Sequence, residues 1–188
     1  MNYKIILASN SPRRKELLSG LDIDFEVRII PGIDENYPPD TIPEKVPSYI
    51  AQKKADAYRT SIKENELIIT ADTIVILNRD ILEKPSNRNE AMEMIKRLSG
   101  RKHQVITAVV LTTTNKHKDF SVMSTVDFAE LTNEEIEYYV DKYKPFDKAG
   151  AYGIQEWIGY IGVKGIEGSF YNVMGLPIQR LYQELKSF

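Results

Sequence analysis

The chain has no cysteine, two histidines and one tryptophan among 188 residues. Without cysteine there is no disulfide, no thiolate nucleophile and no cysteine zinc site. With His103 and His117 as the whole histidine complement, histidine triads and multi-histidine metal centres are not expected. Charge of one sign is also missing: the net charge is -2. That near balance argues against general binding to nucleic acid or an anionic membrane, so any basic site must be local. No apolar run approaches the ~20 residues that span a bilayer. The N-terminus has one short apolar run and no signal-peptide cleavage pattern, so a cytoplasmic location is expected. Neither a G-x-x-x-x-G-K-[ST] phosphate loop nor a G-x-S-x-G elbow occurs; Gly168-Ser169-Phe170 does not fit the latter. Covalent catalysis therefore has little support.

What is present is ordinary globular material, 42% hydrophobic and 28% charged. Length and composition suit one domain over 1–188. Strands and helices alternate, which predicts an α/β fold with a mixed sheet and two lobes around a cleft. Strands are expected at Tyr3–Ala8, Phe25–Ile30, Leu67–Leu77 and Ile81–Glu83, with a hairpin of Gln104–Thr114 and Phe120–Leu131. Helices are expected over Pro12–Leu18, Pro43 to about Ile62, Asn87 to Ser99, Thr132 to Tyr143 and Ile178 to Lys186. Asn87/Glu90 and Thr132/Glu135 have capping-box spacing. Gly150, Gly153, Gly159, Gly162, Gly165 and Gly168 are read as bends and close backbone approaches in short strands.

Several residues break their local pattern. LASNSPRR at 7–14 runs from a strand into a helix with Ser11 as N-cap and Pro12 at the first helical position. Arg13, Arg14 and Lys15 then crowd the positive end of the helix dipole. Such a start suits either a solvated turn or a polyphosphate cradle of N–H groups, hydroxyls and guanidinium forks. Asp72 interrupts a continuous apolar run of the kind buried on both sheet faces. A buried carboxylate needs a metal ion, a cation or backbone donors. Lys54 projects from the apolar arc of its helix. It either snorkels to water or reaches inward to a phosphate or carboxylate. Lys84 is held extended by Pro85. Glu35 could serve as a second carboxylate for a hard divalent cation, and Gln155 can read a nucleobase edge. Together these residues offer cations for a polyphosphate, hard oxygens for Mg²⁺ or Mn²⁺ and a base for attack on a phosphoanhydride.

The same residues carry a family resemblance. LASNSPRRKELL at 7–18, ADTIV at 71–75, LEKP at 82–85, LSGRKHQVITAV at 98–109, DKAGAYGIQ at 147–155 and GSFYNVMGLP at 168–177 occur in order along the whole chain. The sequence resembles the Maf family, the septum-formation-inhibitor-like house-cleaning nucleotide pyrophosphatases. The resemblance implies an elongated, twisted mixed sheet with a central cleft, similar to inosine triphosphate pyrophosphatases. It implies metal-dependent cleavage of a nucleoside triphosphate between the α- and β-phosphates. Carried over by position, Asp72 is the proton acceptor; Ser9, Arg14, Lys54 and Lys84 face phosphate; Glu35 joins Asp72 at the metal; Arg13, Thr73 and Gln155 select the base. DKAGAYGIQ resembles the branch acting on dTTP, UTP and modified uridine triphosphates. Many relatives have glycine after Gln155, whereas this chain has Glu156-Trp157. A 7-methyl-GTP pyrophosphatase and a non-catalytic nucleotide-binding regulator of cell division remain the alternatives. The expected partner is a nucleotide, not nucleic acid or a membrane, and a homodimer is compatible with the reading.

Overall fold

In the computed structural model, which describes residues 3–188, the strands are β1 (Lys4–Leu7), β2 (Phe25–Val27), β3 (Glu66–Leu77), β4 (Asp80–Leu82), β5 (Lys102–Thr112), β6 (His117–Phe128) and β7 (Val163–Glu167). The helices are α1 (Pro12–Ser19), α2 (Val46–Tyr58), α3 (Arg88–Leu98), α4 (Asn133–Tyr143), α5 (Trp157–Gly162), α6 (Phe170–Met174) and α7 (Ile178–Ser187). The strands form a sheet in the order β2-β1-β3-β5-β6-β7, with β4 also on β3. It is mixed, as expected: β1 runs parallel to β2 and β3, whereas β3/β4 and β6/β7 are antiparallel. The chain divides into two units, and β3, β5 and β6 each contribute residues to both. No helix among the described residues is long and apolar enough to cross a membrane.

The first unit takes the chain to Thr73, then Thr107–Val122 and Gly175–Phe188. Ile5, Ile6 and Leu7 of β1 are buried between two parallel neighbours. Each such side chain contributes roughly 1.5–3 kcal/mol by leaving water. From α2, Ala51 and Ala55 pack on Ala108 and Val110 of β5. Small residues bring the helix close enough for Thr70 Oγ1 to donate to the Ala51 carbonyl at 2.8 Å. Strand β2 stops at Val27, short of the expected Ile30, because Tyr58 takes over the backbone. Its hydroxyl donates to the Arg28 carbonyl and accepts from the Ile30 N–H. The expected helix from Pro43 begins as a 3-10 turn, Pro43–Lys45, and α2 ends at Tyr58, four residues early.

The second unit holds Ile74–Ile106 and Met123–Met174. Asn78 and Arg79, with φ of 51° and 77°, make a two-residue left-handed turn that lets β4 begin at Asp80. Helix α4 starts with the full capping box of Thr132 and Glu135. At α3 half the box forms: the Asn87 side chain accepts from the Glu90 N–H, but Glu90 accepts from Ser86 instead. The glycine-rich stretch departs from its reading as short strands. Residues Trp157–Gly162 are helical, and only Gly165 lies inside a strand. The close approach is real at Gly159, where a Cβ would sit 1.7 Å from the Ile154 carbonyl oxygen. Helix α6, in the GSFYNVMGLP segment, had no counterpart in the sequence pattern.

Candidate functional site

In the first unit, the β1–α1 turn, the loop before α2, α2 itself and the middle of β3 bring one cluster together. Asp72 lies on β3 and is buried. Lys54 Nζ donates to Asp72 Oδ1 at 2.9 Å and stands 3.2 Å from Glu35 Oε1. The side chains of Lys54 and Asp72 are 14% and 11% exposed, against 49% for Glu35. Of the two readings open for Lys54, the inward one holds: it meets carboxylates on the core-facing side of α2. The compensation that a buried Asp72 demanded is therefore a cation. Burial pushes the Asp72 carboxyl up from its ordinary range, while Lys54 and Arg14 pull it down.

Arg14 binds the strand on both sides of Asp72. Its Nη1 donates to the Ala71 carbonyl at 3.0 Å and its Nη2 to Thr73 Oγ1 at 3.0 Å. Its Nε donates to the Gly175 carbonyl at 2.8 Å, and Nη1 also reaches Ser9 Oγ at 3.4 Å. Gly175 has φ of +116°, a conformation that L side chains rarely adopt, and its carbonyl faces the guanidinium. Thr73 is tied onward to Thr107 Oγ1 at 2.9 Å. Ser9 is buried; its hydroxyl accepts the Ser11 N–H at 3.2 Å. Ser11 caps α1 through its hydroxyl, which accepts the Arg14 N–H, and Pro12 opens the helix. No acidic residue sits in that first turn, which carries Arg13 and Arg14.

Side-chain contacts thus join Ser9, Arg14 and Thr73 in one set and Glu35, Lys54 and Asp72 in another. The two meet on β3, where Arg14 binds the residues on either side of Asp72, and Arg13 shares the first turn of α1. Lys84 and Gln155 belong to the second unit. Lys84 is exposed beside a buried Pro85. Gln155 follows the 3-10 turn Ala149–Ala151, and its Oε1 is buried with no hydrogen-bond partner among the described residues. The part missed from the sequence is the bracing. Gly175 and Thr107 carried no signal of their own, although both fall inside the quoted motifs GSFYNVMGLP and LSGRKHQVITAV.

Comparison with known proteins identifies the family. A family model described as Maf-like protein matches residues 4–188, across both units. A dTTP/UTP pyrophosphatase of Bacteroides thetaiotaomicron is 62% identical over 98% of this chain and 95% of its own. One of Parabacteroides distasonis is 62% identical over 99% and 96%. One of Flavobacterium johnsoniae is 45% identical over 97% and 94%. Among solved structures, a HAM1 protein from Coxiella burnetii matches with a TM-score of 0.50 at 14% identity, covering 99% of this chain and 100% of that one. That last likeness is one of fold. With its motifs in order and a family model running from residue 4 to residue 188, the chain belongs to the Maf-like family.

Proposed function

We propose that this chain is a cytoplasmic, metal-dependent pyrophosphatase that hydrolyses dTTP and UTP to the monophosphate and pyrophosphate. The observation that carries the reading is Asp72: a carboxylate on a buried strand, paired with Lys54 and gripped at both neighbours by Arg14. A structural ion pair needs only one cation. Here a second is spent on holding the strand at the carboxylate. Relatives 62% identical that are named for dTTP and UTP favour these nucleotides over 7-methyl-GTP.

In this reading Asp72 takes the proton of the water that attacks the α-phosphorus. Burial suits it to that work by raising its basicity, and Lys54 opposes that shift by favouring the charged form. Lys54, Lys84 and the first turn of α1 supply positive charge and N–H donors for the polyphosphate. Ser9 adds a hydroxyl, and Arg14 adds charge while keeping Ala71 and Thr73 in place. Gln155, Thr73 and Arg13 discriminate the base.

The donor set fits a hard divalent ion. Asp72 and Glu35 converge on one ammonium, and no group of three His, Cys, Asp or Glu side chains among the described residues could hold an ion alone. Two carboxylates with remaining ligands from phosphate and water is the pattern of Mg²⁺. When bound, the ion supplies charge neutralisation on the phosphates.

A nucleotide panel with Mg²⁺ and Mn²⁺ tests the reading. Expected are UMP or dTMP with pyrophosphate, and loss of turnover on chelation. Orthophosphate released from the γ position would overturn the bond assignment, and dTTP binding without turnover would favour a regulator. A homodimer is compatible with this reading, and light scattering measures it directly.

A further inference from the structure

The Glu156 side chain is engaged beside Gln155. The Gly153 N–H donates to Tyr139 Oη at 2.9 Å, and Tyr139 Oη donates to Glu156 Oε2. Lys148 Nζ lies 3.2 Å from Glu156 Oε1 and 2.8 Å from Asp147 Oδ1, with its side chain only 9% exposed. These groups close over Gly153. A Cβ there would sit 2.8 Å from the Glu156 carboxyl carbon and 3.0 Å from Lys148 Cε. From the other side, α5 packs on the Ile154 carbonyl at Gly159. Residues 153–156 are therefore held at both ends, and the side chain between them, Gln155, has a buried Oε1 with no partner among the described residues. An acceptor left unpaired in a fixed segment loses hydration without compensation. A ligand N–H would restore it. The imide N3–H of uracil or thymine is such a donor, whereas the unprotonated N3 of cytosine is an acceptor.

We propose that Tyr139, Glu156 and Lys148 are positioning residues that fix Gln155 for an imide-bearing base and so set the preference for uracil and thymine over cytosine. This rests on the reading of Gln155 as a base contact given above. The three residues act through the 153–156 backbone and touch no phosphate in this scheme. Freeing the segment lets Gln155 turn its amide, which accepts either base and weakens both.

Tyr139→Phe and Glu156→Gln test this in the full chain. Tyr139→Phe removes the acceptor of the Gly153 N–H and is expected to speed hydrogen exchange at that amide about tenfold or more. Both variants should raise KM for UTP about tenfold with kcat within about threefold, and shrink the UTP-over-CTP ratio of kcat/KM by a similar factor. Equilibrium binding of UMP and CMP gives the same ratio without turnover. An unchanged Gly153 exchange rate, or a lost hydrogen bond with unchanged base preference, overturns the proposal. A fall in kcat alone, at constant KM and selectivity, also overturns it. Uridine-nucleotide binding without pyrophosphate release by the unaltered chain would overturn the pyrophosphatase reading alone, leaving the clamp to the UMP/CMP ratio. Failure to bind either nucleotide overturns both.

Discussion

Burial works against the charged form of Asp72, and Lys54 works for it. The two are close partners at 2.9 Å with little exposure to water, so each governs what the other can do. Asp72→Asn keeps the shape and removes the proton acceptor. Turnover of UTP is expected to fall more than ~100-fold, measured as pyrophosphate release at saturating nucleotide. Lys54→Met has a different signature. Without the ammonium, the burial that raises the Asp72 carboxyl is less opposed, so its proton leaves at higher pH. A base must be deprotonated to act, so the acid limb of kcat/KM should move to higher pH than in the unaltered chain. A limb that stays in place would mean that Lys54 does not face the group that limits the rate. At this scale the sequence was most legible where a residue contradicted its surroundings. Asp72 in an apolar run and Lys54 on an apolar arc were both visible for that reason. The partners of Arg14 were not, since carbonyls at Ala71 and Gly175 leave no mark in the order of side chains.

Elements were readable where one local rule acts and unreadable where a distant side chain decides. The Thr132 capping box formed as spaced, because both of its bonds close within four residues. Strand β2 is shorter than its β-rich pattern because Tyr58, from α2, captures the Arg28 and Ile30 backbone groups. The glycine spacing was visible while its structure was not: close approach at Gly159 serves a helix start, and the spacing alone cannot distinguish that from a bend in a strand. One tie between elements also escaped the sequence. Arg28, just after β2, makes two bonds to Glu66 at the first position of β3, at 2.9 and 2.6 Å. The Lys63 N–H adds a third at 3.1 Å. The Arg28 pair holds the Glu66 carboxyl down to about 2. Its contribution is therefore present above the ordinary glutamate range and is lost as pH falls toward 2. Glu66→Gln leaves a buried amide facing a guanidinium and should cost about 3 kcal/mol in urea unfolding at pH 7. The difference between the two proteins should shrink toward pH 2.

Acid sensitivity of the whole molecule is assigned to a side chain outside the proposed chemistry. His103 is buried in the second unit with its ring edge-on to Phe128 at 5.0 Å and to Tyr152 at 5.4 Å. Its Nε2 is 2.7 Å from the Tyr152 hydroxyl, and burial pushes its proton affinity down to about 4. An exposed histidine in the unfolded chain titrates near 6.5. Between those two values the unfolded chain binds the extra proton and the folded one does not, so stability falls as pH drops through that window. The loss should approach about 3 kcal/mol by pH 4, a large share of an ordinary domain's stability. Glu66 adds to that slope only as pH enters the ordinary glutamate range, where the unfolded chain takes up a proton that the folded carboxyl, ionised to about 2, does not. His103→Gln keeps a polar group for Tyr152 but has no proton to gain. Urea unfolding from pH 7 to 4.5 should therefore show a declining free energy for the unaltered chain and a flatter line for the variant. Parallel lines would place the acid sensitivity elsewhere. The same comparison protects the assays of Asp72. An acid limb in turnover that persists in His103→Gln belongs to the chemistry, and one that vanishes belongs to unfolding.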